Sequence, residues 1–85
     1  MSTKEQHLNA LIDYLLQAGN ADRLRNTLEG LLTPAELQAI SQRLQIIRLL
    51  KAGLSQRAVA QQLGVGIATV TRGSRALQAG KLDNI

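Results

Sequence analysis

The stretch Ser55–Leu77, SQRAVAQQLGVGIATVTRGSRAL, decides the fold. It reads as two short helices about a turn, with Ser55 as the cap of the first. Two helices that cross closely need a small residue where they touch and a turn residue free to adopt a left-handed conformation. Counted from Gln56, Ala60 is the fifth residue and Gly64 the ninth, so both needs are met. Val59, Leu63, Val65 and Val70 fall at the inward-facing positions. One glycine between two helices would be weak evidence; this set together specifies a helix-turn-helix. Gly73 is the exception. It is the eighteenth residue, where an apolar side chain normally faces inward, and glycine inside a helix costs about 0.5–1 kcal/mol relative to alanine. Either another element packs closely there, or Gly73 opens a pocket with Arg72 at its rim, suited to a small carboxylate.

The rest of the chain is also helical by pattern. Leu8, Leu11, Ile12, Leu15 and Leu16 recur at helical spacing and stop at Gly19. A second helix from about Asp22 carries Leu24, Leu28 and Leu31. The run TPAE then places Thr33 as N-cap, Pro34 at the first helical position and Glu36 where a capping box needs it. That third helix reaches about Ala52, with Leu37, Ile40, Leu44 and Ile47 on one face and Ile46 and Leu49 widening the stripe. A fourth helix follows Ser55, and a fifth runs from about Ile67 to Ala79. Lys81 to Ile85 reads as a frayed tail. The expected fold is one all-α domain over 1–85, with dimerisation helices over 1–52 and the helix-turn-helix over 55–79.

Eighty-five residues form a small core that usually needs reinforcement. There is no cysteine and one histidine, His7, so disulfides and thiolate zinc sites are excluded and no metal site is expected. The remaining remedy is association. The broad apolar stripe of the first helix suits an intertwined homodimer better than one side of a monomeric bundle. The N-terminal run lacks the pattern of a signal peptide, and no stretch approaches the roughly 20 apolar residues of a membrane span. A cytoplasmic protein without a membrane partner is therefore expected.

Net charge is +4, but its placement says more. Between Leu37 and Leu82 there is no acid, against Arg43, Arg48, Lys51, Arg57, Arg72, Arg75 and Lys81. A merely solvated face would usually carry glutamates, so a polyanion is the expected partner, and the helix-turn-helix makes it double-stranded DNA. Gly66, Ile67 and Ala68 are small or apolar at the start of the second helix of the motif, where they can approach base edges and thymine methyls. Thr69 and Thr71 supply hydroxyls. Gln56 and Arg57 open the preceding helix, where side chains and amides can hold phosphate, and Arg72 can touch phosphate too. No catalytic residue is expected, since no carboxylate pair, cysteine or histidine lies near the basic region.

The segments LLTPAEL, the isolated Arg43 and the opening stretch together resemble the bacterial tryptophan repressor family, over roughly Leu31 to Leu77. GIATVTRGS is the most specific part of the likeness. The resemblance implies an intertwined homodimer that represses transcription at an operator when L-tryptophan, a corepressor and not a cofactor, fills a pocket beside each reading head. By the same resemblance Arg43 and Arg72 would sandwich the indole, Arg72 aided by Thr33 of the other subunit would hold the carboxylate, and Gly73 would lie under the ring. Backbone carbonyls near Leu32 would face the ammonium group. Three features depart from the family. Ala76 stands where a serine helps hold the ammonium, the Arg43–Ser55 spacing is one residue shorter, and the chain ends near Ile85, before a final helix. Two alternatives follow: a relative that regulates without that ligand, and a helix-turn-helix module that binds protein. Response-regulator and sigma-factor heads share the opening LTPAEL, but IATVTRGS does not suit their second helix.

Overall fold

The computed structural model describes residues 3–84, and among them the chain is all-α. Five helices follow in order: α1 Thr3–Leu16, α2 Ala21–Leu31, α3 Pro34–Lys51, α4 Gln56–Leu63 and α5 Ile67–Gln78. The chain divides into two compact units between Leu37 and Gln38, within α3.

Short-range chemistry sets most helix ends. Asn20 caps α2, its side chain accepting from the Arg23 amide at 2.9 Å. The Thr33–Glu36 box is reciprocal: the Thr33 amide donates to Glu36 Oε1 at 2.9 Å, and the Glu36 amide to Thr33 Oγ1 at 3.1 Å. The Thr33 amide, donating to the carboxylate, and secondarily the Thr33 hydroxyl beside it hold the Glu36 carboxyl below its ordinary value of 4.5. Ser55 caps α4 by accepting from the Ala58 amide at 3.1 Å. At the other end of α4, Gly64 takes φ 67° and ψ 37°, the left-handed conformation that the motif requires. Both the Gly64 and Val65 amides return to the Ala60 carbonyl.

In the unit from Gln38 onward, Ile46, Val59 and Val70 are fully buried and touch one another. Ile46 comes from α3, Val59 from α4 and Val70 from α5, so this one cluster joins all three helices. Leu49, Leu50, Leu54, Ala60, Leu63 and Val65 pack around it. The inward positions read from the motif are therefore the ones that form the core. In the other unit α1 buries no residue, and Leu8 and Leu16 are 54% and 77% exposed.

One expectation changes, and one pair of open alternatives is narrowed. Residues 79–84 do not fray but coil in turns: the Lys81 amide reaches the Ala76 carbonyl at 3.3 Å, and Lys51 Nζ donates to the Asp83 carbonyl. Ile85 lies outside the described residues. The alternatives concern Gly73, which is buried. A Cβ built there would stand 2.7 Å from Ile46 Cγ2 and 3.7 Å from Ile47 Cγ1. The space beside it is filled by α3, so close packing accounts for the glycine, and the Cβ direction offers no vacancy.

Candidate nucleic-acid interface

The motif offers two helix starts. At α4, Ser55 has taken the Ala58 amide, while the amides of Gln56 and Arg57 belong to the first turn, where no intrahelical acceptor exists. Gln56 is half-buried and Arg57 exposed. At α5, Gly66 is the N-cap with extended backbone, φ −71° and ψ 151°, and has no side chain to cap the helix. Its carbonyl accepts from the Thr69 amide at 3.1 Å.

α5 separates its faces sharply. Val70 and Gly73 are buried, with Ala76 and Leu77 half-buried on the same side. Gly66, Ala68, Arg72 and Arg75 are exposed, and Ile67 is 52% exposed. An isoleucine about half open at a helix start leaves apolar surface that can pack on an apolar group of a partner. Thr69 and Thr71 are both half-buried, and they differ. The Thr71 hydroxyl lies 2.9 Å from Gln56 Oε1 and 3.0 Å from its own helix's Ile67 carbonyl. The Thr69 hydroxyl makes no such bond among the described residues. The Thr71–Gln56 link is a relation that motif spacing did not reveal, although both residues stood out individually.

Exposed Arg57, Arg72 and Arg75 lie in a segment without any acid between Leu37 and Leu82. With no carboxylate to neutralise them locally, their field projects outward and favours a polyanion. Among the described residues no group of three His, Cys, Asp or Glu could hold a metal. Among the described residues no helix is long and apolar enough to cross a membrane.

The residues assigned to a ligand are placed in both units. Leu32 is the half-buried C-cap of α2, its amide bonded to the Leu28 carbonyl at 2.9 Å. Thr33 is exposed, with its hydroxyl oxygen engaged in the capping box. Arg43 lies exposed on α3 and Arg72 exposed on α5, next to buried Gly73. The unit before Gln38 contains a separate groove lined by Tyr14, Gln17, Ala18, Arg23, Asn26 and Thr27, which includes none of these residues.

A family model described as "Trp repressor protein" matches residues 6–84. A "Trp operon repressor homolog" of Vibrio vulnificus is 44% identical over 77 residues, spanning 89% of this chain and 72% of that protein. One from Vibrio cholerae is 42% identical over 74 residues, covering 86% and 72%. A third, from Xylella fastidiosa, is 38% identical over 77 residues, covering 89% and 84%.

Proposed function

Because the chain belongs to the Trp repressor family, whose members are transcription regulators and not enzymes, we propose that it is a sequence-specific DNA-binding repressor acting as a homodimer. The observation that carries this reading is the start of α5, where Gly66, Ile67 and Ala68 are exposed beside Arg72 in a segment free of acids. In a major groove these short residues let the helix approach base edges, with Thr69 able to bond a base and Ile67 able to pack on a thymine methyl. Arg57, Gln56 and Arg72 hold phosphates, which fixes register without reading sequence.

The open apolar surface supports dimerisation. Leu8, Leu11, Ile12 and Leu16 of α1, Leu24 and Leu31 of α2, and Ile40 and Leu44 of α3 are all exposed in the single chain. Apolar surface of that extent marks an interface. A second copy of the chain supplies matching stripes and places two reading heads on one duplex.

The corepressor of this reading is L-tryptophan or a similar amino acid, with Arg43 and Arg72 on the ring, Arg72 and Thr33 of the other subunit on the carboxylate, backbone carbonyls near Leu32 on the ammonium and Gly73 beneath. A ligand-independent repressor is the second reading, and one observation favours it. Ile46 fills the space beside Gly73, so packing alone requires glycine there. Selection of duplexes from a random pool tests DNA recognition, and absence of any enriched sequence would overturn it. Calorimetric titration with L-tryptophan, with and without the enriched duplex, separates the two readings: heat of binding at submillimolar ligand favours the first, and none at millimolar ligand the second.

A further inference from the structure

Thr71 and Gln56 lie on different helices of the motif, 15 residues apart, and their side chains meet in a partly buried hydrogen bond. Thr71 Oγ1 donates to Gln56 Oε1 at 2.9 Å. A hydroxyl has one proton, and in this arrangement it is spent on Gln56 Oε1, with the Ile67 carbonyl at 3.0 Å the competing acceptor within the protein. Phosphate oxygens only accept, so Thr71 has no donor left for them. Gln56 is the opposite case. With its oxygen taken, the end of the amide that remains is the NH2 group, which offers donors alone. It stands in the first turn of α4, beside exposed Arg57 and next to amides that have no intrahelical acceptor.

We propose that Thr71 is a positioning residue that acts on DNA through Gln56. Its hydroxyl fixes the Gln56 side chain across the crossing of α4 and α5, so that the amide NH2 is presented to a phosphate oxygen. A free glutamine would have to give up rotamer freedom on binding and could meet the phosphate with its oxygen, which repels it. The link also ties the phosphate-holding helix to the reading helix by a directional bond, whereas Val59 and Val70 join them only by apolar contact. Thr71 then sets affinity for any duplex and leaves base preference to the exposed residues at the start of α5.

The inference rests on the DNA-binding reading, and the test separates the two. Fluorescence anisotropy is measured on the duplex enriched by wild-type protein and on a random duplex, for Thr71→Val, Thr71→Ser, Gln56→Ala and the double variant Thr71→Val/Gln56→Ala. Losing one neutral hydrogen bond corresponds to about a five-fold loss of affinity. Thr71→Val is expected to lose that much on both duplexes and Thr71→Ser to recover it. The double variant should bind no more weakly than Gln56→Ala, since the threonine has nothing left to position. Additive losses, a loss confined to the enriched duplex, or no loss for Thr71→Val would each overturn the proposal while leaving DNA binding intact. Wild-type protein that binds no duplex would overturn both. In the free protein, the side-chain amide resonances of Gln56 should move in Thr71→Val and not in Thr71→Ser; if they stay in place in Thr71→Val, the link itself is refuted.

Discussion

The Cγ2 methyl of Ile46 stands 2.7 Å from the point that a Cβ on residue 73 would occupy. Real Cβ atoms essentially never show so short a contact, and this methyl sits on the branch point of a fully buried side chain, so something in the crossing must shift to admit a Cβ. Gly73→Ala should therefore destabilise the fold despite the better helix propensity of alanine. Overpacking costs about 1–3 kcal/mol, and relief of about 0.5–1 kcal/mol from removing a helical glycine offsets only part of it. Gly73→Val should be worse. Ile46→Leu removes the offending γ branch, so combining it with Gly73→Ala should recover stability in urea unfolding. Equal stability of Gly73→Ala and wild type would show that α3 and α5 do not cross this closely.

The homodimer reading predicts a concentration-dependent mass. Sedimentation of the wild type at micromolar concentration should give twice the chain mass. Leu11→Asp should give monomer or unfolded protein, because a carboxylate placed in an apolar interface costs more than the ~2 kcal/mol of an unpaired neutral polar group. A well-folded wild-type monomer would refute the dimer.

Base readers and phosphate holders should part company in their salt dependence. Thr69→Ala is expected to cost about 1–3 kcal/mol on the enriched duplex and little on random DNA. Arg57→Ala should weaken binding to both and lower the slope of log affinity against log salt by about 1. Equal losses for Thr69→Ala on both duplexes would mean that α5 does not read bases.

Acid should loosen the first turn of α3. The Glu36 carboxyl is held below its ordinary value of 4.5 by the Thr33 amide and hydroxyl. A depressed carboxyl stabilises the fold fully above its unfolded value and loses that contribution as pH falls through the folded value. The change therefore lies below pH 4.5. Glu36→Gln keeps an acceptor for the Thr33 amide but does not titrate. Amide exchange at Thr33 should accelerate with acid in wild type and stay level, once corrected for intrinsic rates, in Glu36→Gln. Parallel acid dependence in the two proteins would exclude the box as its source.

By itself the sequence determined the helices and their order, because the signals that bound a helix act over a few residues. Thr33 with Glu36, Ser55 with Ala58 and left-handed Gly64 each close bonds within their own turn. Asn20 gave the same kind of signal for α2, and reading the start from Asp22 passed over it. The inward set of Val59, Leu63, Val65 and Val70 was legible too, since a helix-turn-helix constrains these positions by spacing alone. What sequence spacing could not decide is what stands opposite a given position. The absence of a side chain at Gly73 reads equally as a hole or as a contact, and the crossing of α3 resolved it in favour of Ile46. Thr69 and Thr71 are the same residue two positions apart, yet only Thr71 meets Gln56. The tail from Lys81 has no helical pattern, and it is held by Lys51 of α3. These relations depend on helix crossing and rotamer, which arise only when distant segments pack together, so they belong to the tertiary structure.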